Sequence, residues 1–422
     1  MQIEKDIYKP SRVFYIISAA LEYFISILTG TTYLAKLAGS IGISDSTVGV
    51  LSSFVALGCG FQIIALLFNS DKPVKSMVLI MNLINQLCFT LLYTVPLFSF
   101  SANTKTAIFI CLLLAGNILL NISFSPKVTW SRTIIDDSKR GIFSAKCEIT
   151  SLISGMVFTV IMGRLIDYFD ALGKQKTAFI ICAIALFVIT VSHAICIILM
   201  KEKRHTEGRE DQSVLKRLKI ALTDKATLRL IPVFVLWYAA LYTTTPFFGT
   251  YQLNELGFTM TAVAILSAAY AIVRSIVSAP LGILGDRKSF STMFAFASSM
   301  MMIGLIINSL GGAVSHVIYY MLYAIAIAGT NNGQMNLILD YVDYDKRMGS
   351  IAILYTIGGF VGFFTSLAIK PLVDRIQANG NRFLFLEHVY AQQVLSVIGA
   401  LLVFLTILYV IFVVNKMPRR KI

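Results

Sequence analysis

The chain has 422 residues, of which 57% are hydrophobic and only 14% charged; soluble globular chains carry roughly 25% charged residues. With a mean hydropathy of +0.77 it cannot clothe itself in the polar surface that water demands, so a bilayer is its natural solvent. The net charge of +14 sits in short segments between apolar runs, which marks membrane topology and excludes nucleic acid as the partner.

The N-terminus, MQIEKDIYKPSR, is polar and leads into a full-length apolar span. No small-residue site follows a short apolar core, so no cleaved signal peptide is expected. A spanning helix needs about 20 mostly apolar residues. Segments 46–70, 76–104, 106–126, 230–254 and 389–415 hold no Asp, Glu, Lys or Arg. Segment 289–339 holds none either, but its 51 residues are two helices with Gly311-Gly312 as the turn. The predicted spans are 13–36, 46–69, 75–98, 105–125, 141–166, 176–200, 228–252, 259–284, 290–310, 314–338, 349–371 and 388–414. The predicted fold is therefore an all-α polytopic membrane protein with twelve transmembrane helices.

Basic residues orient the spans. With the N-terminus inside, the inner segments carry 26 Lys and Arg and the outer loops 8, so both termini are expected in the cytoplasm of a cell bounded by an inner or plasma membrane. Lys127 is counted here among the inner-loop charges. The long polar stretch 201–227 divides the chain into a six-helix bundle at 1–200 and another at 228–422. Val214, Leu218 and Leu222 recur every four residues among basic ones, which reads as a short amphipathic helix or, equally, as a solvated linker.

The two halves repeat. GISDSTVGVLSS at 42–53 parallels GFTMTAVAILSA at 257–268, an offset of 215, and the same offset carries Asp71-Lys72 onto Asp286-Arg287. Lys139-Arg140 map onto Lys346-Arg347, and Asp167 onto Asp374, with an offset of 207. The ends of the second, fifth, eighth and eleventh spans also share a small-x-Leu-x-Asp flavour. Three-helix units nested in six-helix halves are one known transporter pattern.

On these residues the chain resembles the major facilitator superfamily. GILGDRKSF at 282–290 is similar to that family's G-x-L-a-D-R-x-G-R loop, matching at Gly282, Leu284, Gly285, Asp286 and Arg287. Ser289 and Phe290 depart from it. In the first half Asp71, Lys72 and Lys75 match, while Leu67 and Val74 replace glycines. Asp137-Ser138-Lys139-Arg140-Gly141 is also family-like. The resemblance implies two bundles that rock about a central cavity lined by the first, fourth, seventh and tenth spans. It implies inner latches at Asp71, Lys72, Arg140, Gly282, Asp286, Arg287 and Arg347. Gly282 would allow close helix approach, and Asp286 would cap a helix or meet a base across the loop. Ordinary turn residues with inner-loop charges are the plainer alternative.

Ionisable groups inside spans are costly and default to function. Glu22, in the first span, and Arg274, in the eighth, stand out, each expected to need a partner; Glu22 is the candidate proton or cation carrier and Arg274 its partner or an anion clamp. A fixed structural pair is the alternative. Along the lining spans lie Asn117 and Asn121, then Trp237, Tyr238 and Tyr242, then Tyr323, Asn331 and Asn332. Amides and aromatics with one acid and one base suit a small polar organic solute such as a sugar, nucleoside or organic anion, although amides also glue helices.

No phosphate-binding G-x-x-x-x-G-K-[ST] loop, GxSxG or HExxH occurs, so neither an ATP-driven pump nor a membrane hydrolase is indicated. Four scattered histidines and six cysteines without CxxC spacing indicate no metal, no cofactor and no disulfide. The expectation is a monomeric secondary carrier in the lipid bilayer, driven by a proton or sodium gradient. The fifth span lacks the Gly-Pro pair common in the family's drug exporters, which favours uptake; an exporter of the same fold and a non-transporting solute sensor are the alternatives.

Overall fold

A run of apolar residues long enough to cross hydrocarbon must satisfy its own backbone, and the helix does so within one segment. The computed structural model describes residues 7–67, 74–135, 140–202, 214–343, 346–383 and 388–419, and among these twelve helices are long and apolar enough to cross a membrane. They are α1 (Lys9–Leu28), α2 (Asp45–Ile64), α3 (Lys75–Leu92), α4 (Ala102–Thr133), α5 (Arg140–Ala171) and α6 (Gln175–Leu199). The second six are α7 (Lys225–Glu255), α8 (Met260–Arg287), α9 (Phe290–Asn308), α10 (Ala313–Tyr341), α11 (Arg347–Ala378) and α12 (Ala391–Phe412). The chain is an integral multi-pass membrane protein.

Each predicted span has its helix, but the ends moved where local chemistry decides. The first span stops at Leu28, and a separate helix, Thr31–Gly39, follows Gly30. Gly311 and Gly312 turn the chain between α9 and α10 with φ of +78° and +86°, a backbone that only glycine adopts without strain. Pro246 breaks α7: the regular helix ends at Thr244, and tight and wide turns carry the span on to Glu255. α4 runs 32 residues, well past the expected end at 125, through Pro126 and Lys127. The basic segment at Val214–Thr223 is a helix.

The outward faces are apolar, as a lipid-facing helix requires. On α5, Ile149, Ile153, Val157 and Ile161 are exposed at four-residue spacing, and on α6 Ile180, Ile184, Phe187, Val191 and Ile195 are exposed.

The contacts group the chain into two units. Unit 1 is Met1–Ile43, Ile64–Glu210 and Thr259–Ala264; unit 2 is Ser44–Ile63, Asp211–Phe258 and Ile265–Ile422. The division at 201–227 follows chain order, whereas this grouping places α2 with the second half and the first turn of α8 with the first. Glycines explain the exchange. A Cβ on Gly359 of α11 would sit 2.5 Å from Ala56 O and 2.6 Å from Gly60 N, so the backbones of α2 and α11 nearly touch. A Cβ on Gly163 of α5 would sit 2.8 Å from Met260 O at the start of α8.

Candidate functional site

Unit 1 holds a charged cluster built around Glu22, which lies within α1. Glu22 Oε1 accepts from Lys127 Nζ at 2.5 Å and lies 3.1 Å from His193 Nε2. His193 Nδ1 is 2.9 Å from the amide nitrogen of Gln86 on α3. That nitrogen donates, so Nδ1 accepts and the imidazole proton sits on Nε2, on the side of the carboxylate. The lysine and histidine side chains are 6% and 1% exposed, while Glu22 keeps 28%, so the carboxylate is the most exposed member.

Three helices build this cluster. Glu22 comes from α1, Lys127 from α4 and His193 from α6. Removing one member would strand the others, a cost of about 3–5 kcal/mol for a buried pair. Arg274, expected as the partner of Glu22, belongs to α8 in unit 2; the partners described for Glu22 are Lys127 and His193. Both escaped the sequence reading. Lys127 stood just past an apolar run and was assigned to a loop, and His193 had no spacing relation to anything. A lysine directly after a proline that does not end its helix was the available signal. Asn117 and Asn121 turn their amides back to Leu113 O and Asn117 O on α4, at 2.8 and 2.9 Å.

Unit 2 is aromatic where unit 1 is charged. Phe234, Tyr238 and Tyr242 stack one turn apart along α7, at centroid distances of 6.4 and 6.1 Å. Gly358 and Gly362 of α11 lie flat on the two tyrosine rings, since added Cβ atoms would sit 2.8 and 2.7 Å from ring carbons. Tyr323 of α10 packs 5.6 Å from Tyr270 of α8, and Arg274 is one turn further along that face of α8. Among the described residues the hydroxyls of Tyr238, Tyr242, Tyr323 and Tyr355 make no hydrogen bond, although all four are at least partly buried. Trp237 is 1% exposed against Phe294 and is a packing residue of this core. Asn331 and Asn332 are exposed.

Unit 2 also has a buried histidine that the sequence reading passed over. His316 Nδ1 faces Asn308 Oδ1 at 3.0 Å, and Asn308 Nδ2 donates to Ser396 at 2.8 Å. Ser396 spends its own proton on Gln392 O, which fixes the asparagine and hence places the imidazole proton on Nδ1. Nε2 then accepts from the Gln252 amide nitrogen at 3.0 Å, leaving a neutral, satisfied ring.

The helix ends divide the expected latch residues. Asp71 and Lys72 lie outside the described residues, as does the side chain of Arg140. Asp286 and Arg287 are exposed at the end of α8, and among the described residues neither forms an ion pair or side-chain hydrogen bond. Gly282, expected to allow close approach, has open space where a Cβ would sit. Arg347 donates to Val342 O and Leu339 O at 3.1 and 2.7 Å, a cationic cap on the carbonyl end of α10. Beside it Lys346 pairs with Asp224 and Asp343, both at 3.1 Å. The hydrogen bonds that Lys346 donates to Asp343 and Asp224 raise its ammonium above the usual range. For Asp224 burial pulls upward, but bonds from the Thr227 backbone and from Lys346 outweigh it and hold the carboxyl below the usual range.

The model of the Major Facilitator Superfamily matches residues 15–366. The chain belongs to the major facilitator superfamily. No curated protein sequence matches it at a significant level. Among solved structures it is similar to the nucleoside transporter NupG, with a TM-score of 0.70, 11% identity, and coverage of 97% of this chain and 100% of that one. A D-xylose–proton symporter gives 0.65 at 11% identity over 94% and 97% of the two chains. A bacterial homologue of the iron transporter ferroportin, in an outward-facing state, gives 0.60 at 12% over 96% and 98%. At such identities the likeness is one of fold, and the chain is a transporter of this superfamily and not an enzyme.

The superfamily's repeat now explains the landmark aspartates. Asp167 of α5 accepts from the backbone N–H groups of Met260 and Thr261 at 2.9 and 2.7 Å, capping α8. Asp374 of α11 accepts from the Ser46 hydroxyl at the start of α2 and from Lys370 at 2.7 Å. Ser46 plus the repeat offset of 215 is residue 261, so the two carboxylates hold equivalent positions of the duplicated fold.

Proposed function

We propose that this superfamily member is a secondary active transporter that takes up a small polar organic solute by alternating access, with protons as the coupling ion and Glu22 as their carrier. The observation that carries the reading is the cluster of Glu22, Lys127 and His193. A carboxylate within α1 that keeps 28% of its side-chain surface can be protonated. Protonation removes its charge, releases Lys127 and changes which arrangement of the helices is cheapest. Tyr238 and Tyr242 of α7 and Tyr323 of α10, with open hydroxyls and flat faces, suit a ring-bearing solute of the sugar or nucleoside kind, the classes named for the D-xylose and NupG structures. Arg274 would meet any anionic group it bears. Asp71, Lys72, Arg140, Gly282, Asp286, Arg287 and Arg347 act as the inner gate. The protein works as a monomer in the plasma or inner membrane with both termini cytoplasmic.

The test is uptake into proteoliposomes of a panel of nucleosides, pentoses and hexoses, with and without an imposed proton gradient. Gradient-driven accumulation of one class that disappears in Glu22→Gln, with solute counterflow retained, supports the reading. Accumulation by Glu22→Gln equal to that of the parent protein overturns the coupling role.

A further inference from the structure

Below the charged cluster, unit 1 contains a cavity of about 620 Å³ between α1, α4 and α5. Its walls include Tyr15, Ser131, Phe143, Ser144, Cys147 and Glu148. It lies at the end of the unit that carries the N-terminus: Arg12 donates to Ile134 O at the end of α4, and Ser11 accepts from Lys201 N just after α6. Ser144 and Glu148 are exposed, so the cavity opens on their side. Hydroxyls and a carboxylate make it a wettable space, and it is many times larger than the roughly 30 Å³ that one water occupies.

Glu22 does not line the cavity but lies one turn beyond it on the same face of α1. Tyr15, Ala19 and Glu22 lie at i, i+4 and i+7 on one face of α1, and the first two line the cavity. Ser131 of the wall is one turn from Lys127 on α4. Lys127 Nζ sits 5.6 Å above the Tyr15 ring, and that ring is 5.6 Å from Phe143. The Tyr15 ring therefore forms part of the wall on one side and the floor of the ion pair on the other. Toward α3 and α6 the cluster is closed, because Gln86 and His193 are 2% and 1% exposed. The titratable groups facing this region are Lys127 from α4, His193 from α6, Cys147 and Glu148 from α5, and Tyr15 on α1 itself.

We propose that this cavity is the aqueous route by which protons reach Glu22 from the terminus-bearing face, with the Tyr15 ring as its narrow point. A hydronium ion arriving there gives its proton to the Glu22 carboxylate and leaves as water. The Lys127 ammonium, having lost its counter-charge, keeps the Tyr15 ring as a cation–π partner. The inference rests on the coupling reading of Glu22 but can be tested apart from it, without knowing the solute.

The experiment uses the full chain with its six cysteines replaced and Glu22→Cys added, in oriented proteoliposomes. The probe is a small, membrane-impermeant trimethylammonium methanethiosulfonate. Modification is expected from the terminus-bearing face, and Ser144→Trp, which fills the cavity, should slow it at least about tenfold, equivalent to roughly 1.4 kcal/mol of barrier. Should the tryptophan variant fail to fold, the cavity can be filled on the folded protein instead: Glu22 is retained, Cys147 is the one cysteine kept, and a bulky maleimide is attached to it. Slower exchange of the Glu22 carboxyl proton with deuterium, followed by infrared spectroscopy, is then expected. Modification from the opposite face, or rates unchanged by either plug, overturns the route. Modification through the cavity together with normal accumulation by Glu22→Gln upholds the route and sinks only the coupling reading.

Discussion

Each unit buries one histidine inside its helices, and each histidine is held by a glutamine from a neighbouring helix. His193 is 1% exposed and bonded to Gln86; His316 is 0% exposed and bonded to Gln252. What differs is the other partner. His193 meets the carboxylate of Glu22, whereas His316 meets the amide oxygen of Asn308. A carboxylate favours a charged neighbour, and an amide held by Ser396 does not. His193 therefore sits beside an ionisable group, whereas His316 sits in a neutral, hydrogen-bonded aromatic core. One carboxylate thus separates the two histidine environments.

The largest break in this comparison is Glu22→Gln, which makes the first histidine's surroundings resemble the second's. The accumulation ratio for any gradient-driven solute should fall to unity, measured in proteoliposomes with an imposed pH difference. Lys127→Met strands Glu22 beside a neutral side chain. It should destabilise the detergent-solubilised protein by about 3–5 kcal/mol in denaturant titrations, and Glu22→Gln added to it should recover most of that loss. The reverse exchange, Asn308→Asp, sharpens the contrast. A loss of about 1–3 kcal/mol is expected at neutral pH. That loss should ease as pH falls, because a protonated carboxyl copies the amide's donor and acceptor. A melting temperature that did not depend on pH in this variant would count against the assigned tautomer of His316.

Smaller effects belong to the helix ends. Gly163→Val meets the Met260 carbonyl and should cost about 1–3 kcal/mol by overpacking. Lys346→Met removes a half-exposed ion pair whose Asp224 keeps its Thr227 bonds, and should cost about 1 kcal/mol or less. The sign of its pH dependence is set: Asp224 is held below the usual carboxylate range, so the pair's contribution is present above pH 3.8 and fades as pH drops below it. Thermal melts at pH 7 and pH 3 should therefore differ less for the variant than for the parent.

Hydrophobic length and basic loops made the twelve spans legible, because hydrocarbon thickness acts on one segment at a time. The same holds for the Gly311-Gly312 turn and for the break at Pro246. Glu22 was legible as a charge in a span. Its partners were not, since Lys127 sits at the edge where a helix and a loop read alike, and His193 joins Glu22 only through three helices folded together. The repeat placed Asp167 and Asp374 at matching positions but could not say what they cap. Trp237 illustrates the opposite error: an aromatic on a lining helix looks like a solute contact until packing turns it inward.

The seat of α2 against α11 has a consequence for biosynthesis. Ser46 and Asp374 are 328 residues apart in the chain. At roughly 5–20 residues synthesised per second, α2 is made roughly 15 to 65 s before its neighbour exists. During that interval it must wait in lipid without its partner, and residues 46–70 contain no Asp, Glu, Lys or Arg to make the wait costly. A helix that waits long for its neighbour thus has a sequence that tolerates being alone.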